Sequence, residues 1–303
     1  MKHVANILLV ILVIAGVASL LGYLGDAFWM FDLLAHFRLQ YALTFLILLA
    51  GALVTKRWRI AFAATALLMP NAVAVMSPYF RTRFASDAAI SIALANVNSA
   101  NTKFAEVAQR VRGADVIVIL EVTPAWEGEL RARLVDYPHA IFETRTDNFG
   151  IAVFTKIPPL SHAVLTLVPN GPPTIAVDLF IRGRTTTLFA THPVPPVSAN
   201  ATARRDTQLA KLAELVTATT NDIIVIGDLN ATPWSSALDP LFDAGLVDTR
   251  LGYAATWPTG MWPLRIPIDL CLVSANFGNA SFHVGRDVGS DHFPVFVALS
   301  ARN

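Results

Sequence analysis

The sequence predicts a membrane-embedded N-terminal part followed by an α/β domain in which helices cover two packed sheets. Charge is the first observation: of the 45 Lys, Arg, Asp and Glu residues in the chain of 303, only seven precede residue 81. Alternation is the second: beyond residue 88, short apolar runs are separated by amphipathic stretches, as strands are by helices. We therefore divide the chain into a membrane domain, residues 1–80, and an α/β domain, residues 81–303.

The composition narrows the class of protein. Hydrophobic residues make up 54% of the chain and charged residues 15%, against roughly 45–50% and about 25% in soluble domains. These proportions exclude a disordered or acidic-tail protein and disfavour an ordinary cytosolic enzyme. The net charge of +1 gives no overall basic excess for nucleic acid. A single cysteine, Cys271, excludes an intramolecular disulfide framework and a cysteine-rich zinc site.

Three apolar runs in the first part, residues 4–23, 39–54 and 60–76, predict three transmembrane helices. A spanning helix needs about 20 residues, which the first run meets and the others approach. A cleaved signal peptide is the alternative for the first run, and a buried core helix for the third. Lys2 and the cluster around Lys56 are expected in the cytoplasm by the positive-inside tendency, which places residues 81–303 on the extracytoplasmic, periplasmic side.

Eight apolar runs in the second part predict strands. They cover residues 92–95, 116–120, 150–154, 174–181, 186–190, 223–226, 268–273 and 294–299. Helices are predicted over 103–112, from Pro124 behind the N-cap residue Thr123, and over 200–217. Strands this apolar are usually buried on both faces, so the helices are expected on the outside of two packed sheets.

Polar side chains border many of these runs, where a strand end holds a side chain rigidly at one rim of a sheet. The residues concerned are Asn96, Glu121, His192, Asp228, Asp269 and Asp291. A lone histidine such as His192 is more often structural than catalytic. No His/Cys arrangement in the chain has the spacing of a zinc site.

The segment Gly227-Asp228-Leu229-Asn230 is the strongest local signal. Asp228 and Asn230 are two residues apart, so an extended backbone directs both side chains the same way. Asp228 can orient or deprotonate a water, and Asn230 can donate to a developing oxyanion. The alternative is an Asx turn that caps a following helix.

Two further pairings are predicted. Asp269 lies within an apolar strand and needs a partner, which His292 of Ser290-Asp291-His292 can supply; the alternative is a purely structural ion pair. Glu121 and Asn96 offer the oxygen ligands that Mg²⁺ prefers. The alternative for Glu121 is stabilisation of the next helix N-terminus.

Taken together and in order, these segments resemble the endonuclease/exonuclease/phosphatase superfamily over about residues 88–300. The markers are Asn96-Val97-Asn98, Leu120-Glu121, Gly150-Ile151-Ala152-Val153, Thr191-His192-Pro193, Gly227-Asp228-Leu229-Asn230, Ile268-Asp269 and Gly289-Ser290-Asp291-His292. The resemblance implies a four-layer α-β-β-α sandwich, as in pancreatic deoxyribonuclease. The His-Pro-x-Pro-Pro element over residues 192–196 resembles the membrane-anchored branch of that superfamily.

The resemblance also implies roles for the site residues. Glu121, helped by Asn96 and by Asn98 or Asp291, would hold Mg²⁺ or Mn²⁺. Catalysis would rest on Asp228 for the attacking water, on Asn230 and His192 for the pentacoordinate phosphorus, and on His292 paired with Asp269. The family often has His or Tyr after the strand aspartate. Here that residue is Leu270, which puts one substrate contact in doubt.

The substrate is the least determined part of the prediction. Residues 81–303 contain 18 Lys and Arg against 20 Asp and Glu, which disfavours nucleic acid, although Arg204-Arg205 and Arg182/Arg184 could form local basic patches. The loop 256–263 holds Trp257, Trp262 and a Met before Asp269, which fits a lipid surface; ordinary packing of Trp257 under the strand is the alternative. We expect a membrane-anchored phosphodiesterase that acts on a lipid or another small phosphodiester. A tethered nuclease and a non-catalytic binding protein are the alternatives.

Overall fold

The computed structural model describes residues 2–82 and 88–301. The chain divides into two compact units. One consists of residues 1–81 together with 234–236, and the other of residues 82–233 and 237–303.

The N-terminal unit is helical. Its helices are α1 (Lys2–Leu21), α2 (Trp29–Ala35), α3 (Arg38–Val54) and α4 (Trp58–Met76). A small apolar core of Leu12, Phe45, Leu48 and Ala64 joins α1, α3 and α4. These helices are apolar on their outer faces as well, because Ile47 and Phe62 are 70% and 78% exposed.

The prediction of three transmembrane helices is wrong. Among the described residues, one helical segment is long and apolar enough to cross a membrane: α4 and the 3₁₀ turn Ser77–Phe80 that continues it, together 23 residues with a mean hydropathy of 1.7. The second apolar run, residues 39–54, lies within α3, which passes that test only together with α2, across a bend of 63°. The apolar part of α1, Ala5–Leu21, is too short. The composition of the sequence shows the apolar runs but not the bend between α2 and α3. A single apolar helix is weak support for a membrane anchor.

The second unit contains twelve strands. They are β1 (Ile90–Asn96), β2 (Val116–Leu120), β3 (His139–Glu143), β4 (Ile151–Thr155), β5 (Pro159–Leu165), β6 (Thr174–Ile181), β7 (Arg184–Thr191), β8 (Asp222–Asp228), β9 (Val247–Asp248), β10 (Asp269–Val273), β11 (Phe277–Val284) and β12 (Val295–Ala301). Its helices are α5 (Phe104–Val111), α6 (Pro124–Arg133), α7 (Ala199–Ala218) and α8 (Asp239–Asp243).

These strands form two six-stranded sheets. The first has the order β11-β12-β1-β2-β4-β3 and the second the order β5-β6-β7-β8-β10-β9. Strand β2 shows how they pack: Val118 and Leu120 lie in the core between the sheets, whereas Ile117 and Ile119 pack under α5 and α6. Helices α7 and α8 cover the second sheet in the same way. The predicted two-sheet α/β sandwich, with helices outside, is therefore confirmed.

The eight predicted strands are the eight central ones, and the four missed strands are the edges. Strands β3 and β11 border the first sheet, and β5 and β9 border the second. Edge strand β5 is exposed at nearly every position, so it lacks the apolar signal that β2 and β8 carry.

Candidate functional site

Strand register brings the predicted site residues to one rim of the sandwich. In the first sheet β1 and β2 are parallel, with Asn96 opposite Leu120, so Asn96 and Glu121 lie at neighbouring strand ends. In the second sheet β8 and β10 are antiparallel, and Asp228 is directly opposite Asp269. The parallel pair β7–β8 places His192 beside that point.

Two glycines allow the strands to come this close. A Cβ on Gly227 would lie 1.8 Å from the Thr191 carbonyl oxygen, next to His192 and Asp228. A Cβ on Gly150 would lie 1.9 Å from the Val122 carbonyl oxygen, next to Glu121. Real Cβ atoms do not approach backbone so closely, so the rim depends on glycine at both positions.

Four of these residues form what we call the buried charge cluster: His192, Asp228, Asp269 and His292. His292 Nδ1 lies 2.8 Å from Asp269 Oδ2, and His292 Nε2 lies 3.6 Å from Asp228 Oδ2. His192 Nε2 lies 3.4 Å from the same Asp228 oxygen. All four side chains are at most 6% exposed. The predicted Asp269–His292 pair is thus present as a contact.

Burial and pairing fix the protonation of this cluster. Burial alone would lower the pKa of His292, but Asp269 and Asp228 outweigh it and raise that pKa to about 10. Burial would raise the pKa of Asp228, but the charge of His292 and the hydrogen bond from His192 lower it. The arrangement at neutral pH is therefore a protonated His292 facing an ionised Asp228.

Two atoms of the cluster are buried without a hydrogen-bond partner among the described residues. They are His192 Nδ1 and Asp269 Oδ1. Buried polar atoms are normally satisfied, so such orphans point to a group that the protein binds.

The remaining predicted residues form the oxygen rim: Asn96, Asn98, Glu121 and Asp291. Ser99 N donates to Glu121 Oε2 at 3.0 Å, and Asn98 Nδ2 donates to Asp291 Oδ1 at 2.9 Å. Asn96 Nδ2 donates to Asp228 Oδ2 at 3.2 Å, which connects the rim to the cluster. Asn98 and Glu121 have φ values of 59° and 66°. Left-handed backbone is costly for glutamate and is typical of functional sites.

The donor chemistry of the rim fits a hard divalent cation. Glu121 Oε1 has no hydrogen-bond partner among the described residues, whereas Oε2 accepts from Ser99. The carboxamide oxygens of Asn96 and Asn98 each accept one backbone N–H, from Asn98 at 3.1 Å and from Ala100 at 3.0 Å, and the Asn98 amide also orients Asp291. Mg²⁺ needs few protein ligands and keeps several waters.

A second group of metal-binding type lies in the cluster itself. Asp228, Asp269 and His292 have ligand atoms within 4.8 Å of one another, the one such group of three or more among the described residues. His292 would have to lose its proton to ligate a metal there. Both carboxylates favour the protonated ring, which opposes metal binding by His292.

Asn230 connects the loop that follows β8 with the loop that follows β7. Its backbone N donates to Asp228 Oδ1 at 3.0 Å, and its side-chain Nδ2 donates to the Pro193 carbonyl at 2.9 Å. Asp228 therefore makes the Asx-type turn of the alternative interpretation, but no helix of the described residues begins at Pro233 for it to cap, since the next helical turn starts at Ser236. Arg205 Nη1 donates to the Asn230 carbonyl at 3.0 Å.

Three residues play a part that the sequence reasoning missed. Trp257 Nε1 donates to Asp291 Oδ2 at 3.1 Å, so this tryptophan supports the site instead of facing a membrane. Arg205 is fully buried, and the prediction that it belongs to a surface basic patch is wrong. Ser290 donates from Oγ to the Asn96 carbonyl at 2.8 Å and fixes the loop that carries Asp291 and His292. Of these three roles, only that of Trp257 had a signal in the sequence, because this residue lies in an apolar loop just before Asp269.

The fold and this rim define a class: two-sheet α/β sandwiches that carry carboxylates, histidines and oxygen ligands where the strands end. A family model described as "Endonuclease/Exonuclease/phosphatase family" matches residues 93–292, and the chain belongs to that family. No curated protein matches the chain.

Solved structures agree on the fold. A conserved protein of unknown function from Enterococcus faecalis V583 is 17% identical with a TM-score of 0.59, covering 70% of this chain and 100% of that one. D. rerio TDP2 complexed with a single-strand DNA product is 17% identical with a TM-score of 0.57, covering 70% and 99%. A family protein from Bacteroides thetaiotaomicron is 20% identical with a TM-score of 0.57, covering 71% and 98%.

Proposed function

We propose that the chain is a membrane-anchored, divalent-metal-dependent phosphodiesterase whose catalytic domain acts outside the cytoplasm on a lipid or another small phosphodiester. The observation that carries the hydrolytic part is the buried charge cluster. It presents a protonated His292 between two carboxylates beside an oxygen rim suited to Mg²⁺ or Mn²⁺.

Each residue has a chemical task. Asp228, held ionised by two histidines, orients and deprotonates the attacking water. His292 donates a proton toward the leaving oxygen, and Asp269 holds its ring in place. His192 and Asn230 stabilise the developing charge at phosphorus. A divalent ion held by Glu121, Asn96 and Asp291 would polarise the phosphoryl oxygen.

A lipid substrate is supported by one exposed loop. Met261, Trp262 and Leu264 are 55%, 72% and 45% exposed, and the same loop carries Trp257, which contacts Asp291. Apolar side chains grouped on an ordered loop favour contact with a membrane surface.

The anchor and its orientation form a separate part of the proposal. Lys56, Arg57 and Arg59 lie at the N-terminal side of the apolar helix Trp58–Phe80. The positive-inside tendency then places the chain after residue 80 outside the cytoplasm. A reporter fused after Asn303 tests this orientation, and signal from the cytoplasm would refute it.

A tethered nuclease is the second candidate. Arg204 is the observation that favours it, because this half-buried guanidinium near the site has no carboxylate within 4.0 Å among the described residues. Cleavage of plasmid DNA with a steep salt dependence would favour the nuclease.

Hydrolysis assays on the full chain test the enzyme proposal. Glu121→Gln and His292→Ala should each abolish Mg²⁺-dependent hydrolysis of phospholipid and of bis(p-nitrophenyl) phosphate while the circular dichroism spectrum stays unchanged. Glu214→Gln and His162→Ala are the matched controls, since both side chains are exposed and lie outside the site. Near-full activity in both site variants contradicts the proposal.

A further inference from the structure

A cavity of about 270 Å³ lies beside the buried charge cluster. Its lining includes Arg145, Phe149, Val194 and Arg204. The Phe149 ring lies 5.4 Å from the His192 ring, centroid to centroid, and Val194 follows His192 by two residues. The cavity therefore opens next to the residues assigned to the reaction but contains none of them.

The two arginines of the cavity differ in how their charge is balanced. Arg145 is bound through Nε and Nη2 to Asp147, at 2.7–3.1 Å. Arg204 donates from Nη2 to the Asn170 carbonyl at 2.9 Å and has no carboxylate partner among the described residues. With Asp147 neutralising Arg145, the cavity carries the unbalanced positive charge of Arg204.

The donors that remain suit a phosphate. Arg204 keeps Nε and Nη1 without a hydrogen-bond partner in the described part of the chain, and Arg145 keeps Nη1. A guanidinium fork matches the oxygens of a phosphate, and its bonds to phosphate are charge-assisted.

The size of the cavity limits what it can take. Pockets that bury a drug-sized ligand measure about 300–1,000 Å³, so 270 Å³ accommodates one polar group of a substrate and not an acyl chain. Phe149, Pro172 and Val194 supply an apolar wall for the carbon atoms that carry that group.

We propose that this cavity binds a second phosphate of the substrate, one that is not cleaved, and that Arg204 makes the enzyme prefer phosphodiesters bearing an additional phosphate monoester. This inference rests on the proposed phosphodiesterase function and adds its substrate class. The extra phosphate can belong to a lipid headgroup or to a nucleotide, because both present the same dianion.

Two substrate pairs that differ by one phosphate test the preference in the full chain with Mg²⁺. The lipid pair is phosphatidylglycerol and phosphatidylglycerol phosphate in mixed micelles. The nucleotide pair is thymidine 5′-(p-nitrophenyl phosphate) with and without a 3′-phosphate. We expect the phosphorylated member of at least one pair to have a kcat/KM about tenfold higher, the value of one charge-assisted hydrogen bond. The pair that responds identifies the source of the phosphate.

Variants of Arg204 test whether this side chain causes the substrate preference. The ratio of kcat/KM within the responding pair should fall toward one in Arg204→Ala and below one in Arg204→Glu. Lys211→Ala, an exposed position on the same helix α7, should keep the wild-type ratio. Equal kcat/KM within both pairs for the wild type, or an unchanged ratio in both Arg204 variants, overturns the inference.

A binding measurement separates this inference from the proposed function. Thymidine 3′,5′-bisphosphate, titrated by calorimetry in EDTA, should bind the wild type about tenfold more tightly than Arg204→Ala. If binding depends on Arg204 but no substrate is hydrolysed, the proposed phosphodiesterase activity is refuted and phosphate binding in the cavity is supported. Equal affinity of the wild type and Arg204→Ala for the bisphosphate refutes phosphate binding by Arg204 in the cavity, whether or not the protein hydrolyses a substrate.

Discussion

The two halves of the candidate site lie at the same end of the sandwich but differ in their contact with water. The buried charge cluster is water-excluded, with Asp228 and Asp269 only 2% and 1% exposed at their side chains. The oxygen rim is only partly open, because Asp291 is exposed and Asn98 half-buried, whereas Asn96 and Glu121 are buried. Charges interact strongly where water is excluded, so the cluster holds fixed protonation states. The exposed side of the rim, at Asp291, can exchange waters and ligands, which suits a metal that keeps part of its hydration shell.

Separation of the two strands under the cluster should have the largest effect. In Gly227→Ala the new Cβ would meet the Thr191 carbonyl at 1.8 Å, so β7 and β8 must move apart. We expect a loss of about 3 kcal/mol or more of unfolding free energy, the upper range for overpacking, together with loss of activity. Urea denaturation and the hydrolysis assay measure both.

Gly128→Ala is the matched control for that variant. Gly128 lies within α6, and apart from its own helix backbone no atom of the described residues comes within 4 Å of a Cβ built there. This change should stabilise the protein by up to about 1 kcal/mol, because alanine favours a helix interior. Similar stability of the two variants would show that the close strand approach is not required.

Removal of one charge from the cluster should come next. Asp228→Asn keeps the shape but removes the base that faces His192 and His292, so we expect kcat to fall about 10²–10⁴-fold. Excess Mg²⁺ should not restore it, because the lost group belongs to the water-excluded half. A kcat within a few-fold of the wild type, or rescue by metal, would contradict the separation of roles.

A change at the rim should be milder and should respond to metal. Trp257→Phe keeps a ring near His292 but removes the indole N–H that holds Asp291 Oδ2. Loss of a group that orients a ligand typically costs about 10–100-fold in metal affinity. Calorimetric titration with Mg²⁺ measures this affinity, and kcat at saturating metal should stay near the wild-type value. An unchanged metal affinity would mean that Trp257 only packs.

The smallest effect is expected at Cys271, which lies on β10 two residues after Asp269. Burial raises the pKa of the Cys271 thiol to about 12. Since the folded pKa lies above the usual value of about 8.5, the folded chain keeps this proton, and stability falls as pH rises above that value. The folded protein should therefore not react with a disulfide reagent at pH 9 and should react after denaturation. Rapid labelling at that pH without unfolding would show that the strand opens locally.

Two comparisons show which parts of the fold can be predicted from the sequence. The continuous apolar runs of β2 and β8 are visible in the sequence, because central strands of this sandwich are buried on both faces. Edge strand β5 has no such signal, since its pairing with β6 is set by the sheet and not by its own pattern. In the helical unit, composition detected apolar runs but not the 63° bend between α2 and α3.

The sequence by itself determined the family, the two-sheet sandwich and the order of the polar residues at the strand ends, because these follow from local periodicity and from motifs close in the chain. Only the tertiary structure decided that His292 lies between Asp269 and Asp228, that Asn98 binds Asp291 and that Trp257 does so from the other side. Those contacts join residues that are 23 to 193 positions apart, and packing alone brings them together. The cavity beside Arg204 also depends on tertiary packing, since its walls come from three separate segments of the chain, residues 145–149, 170–172 and 194–204.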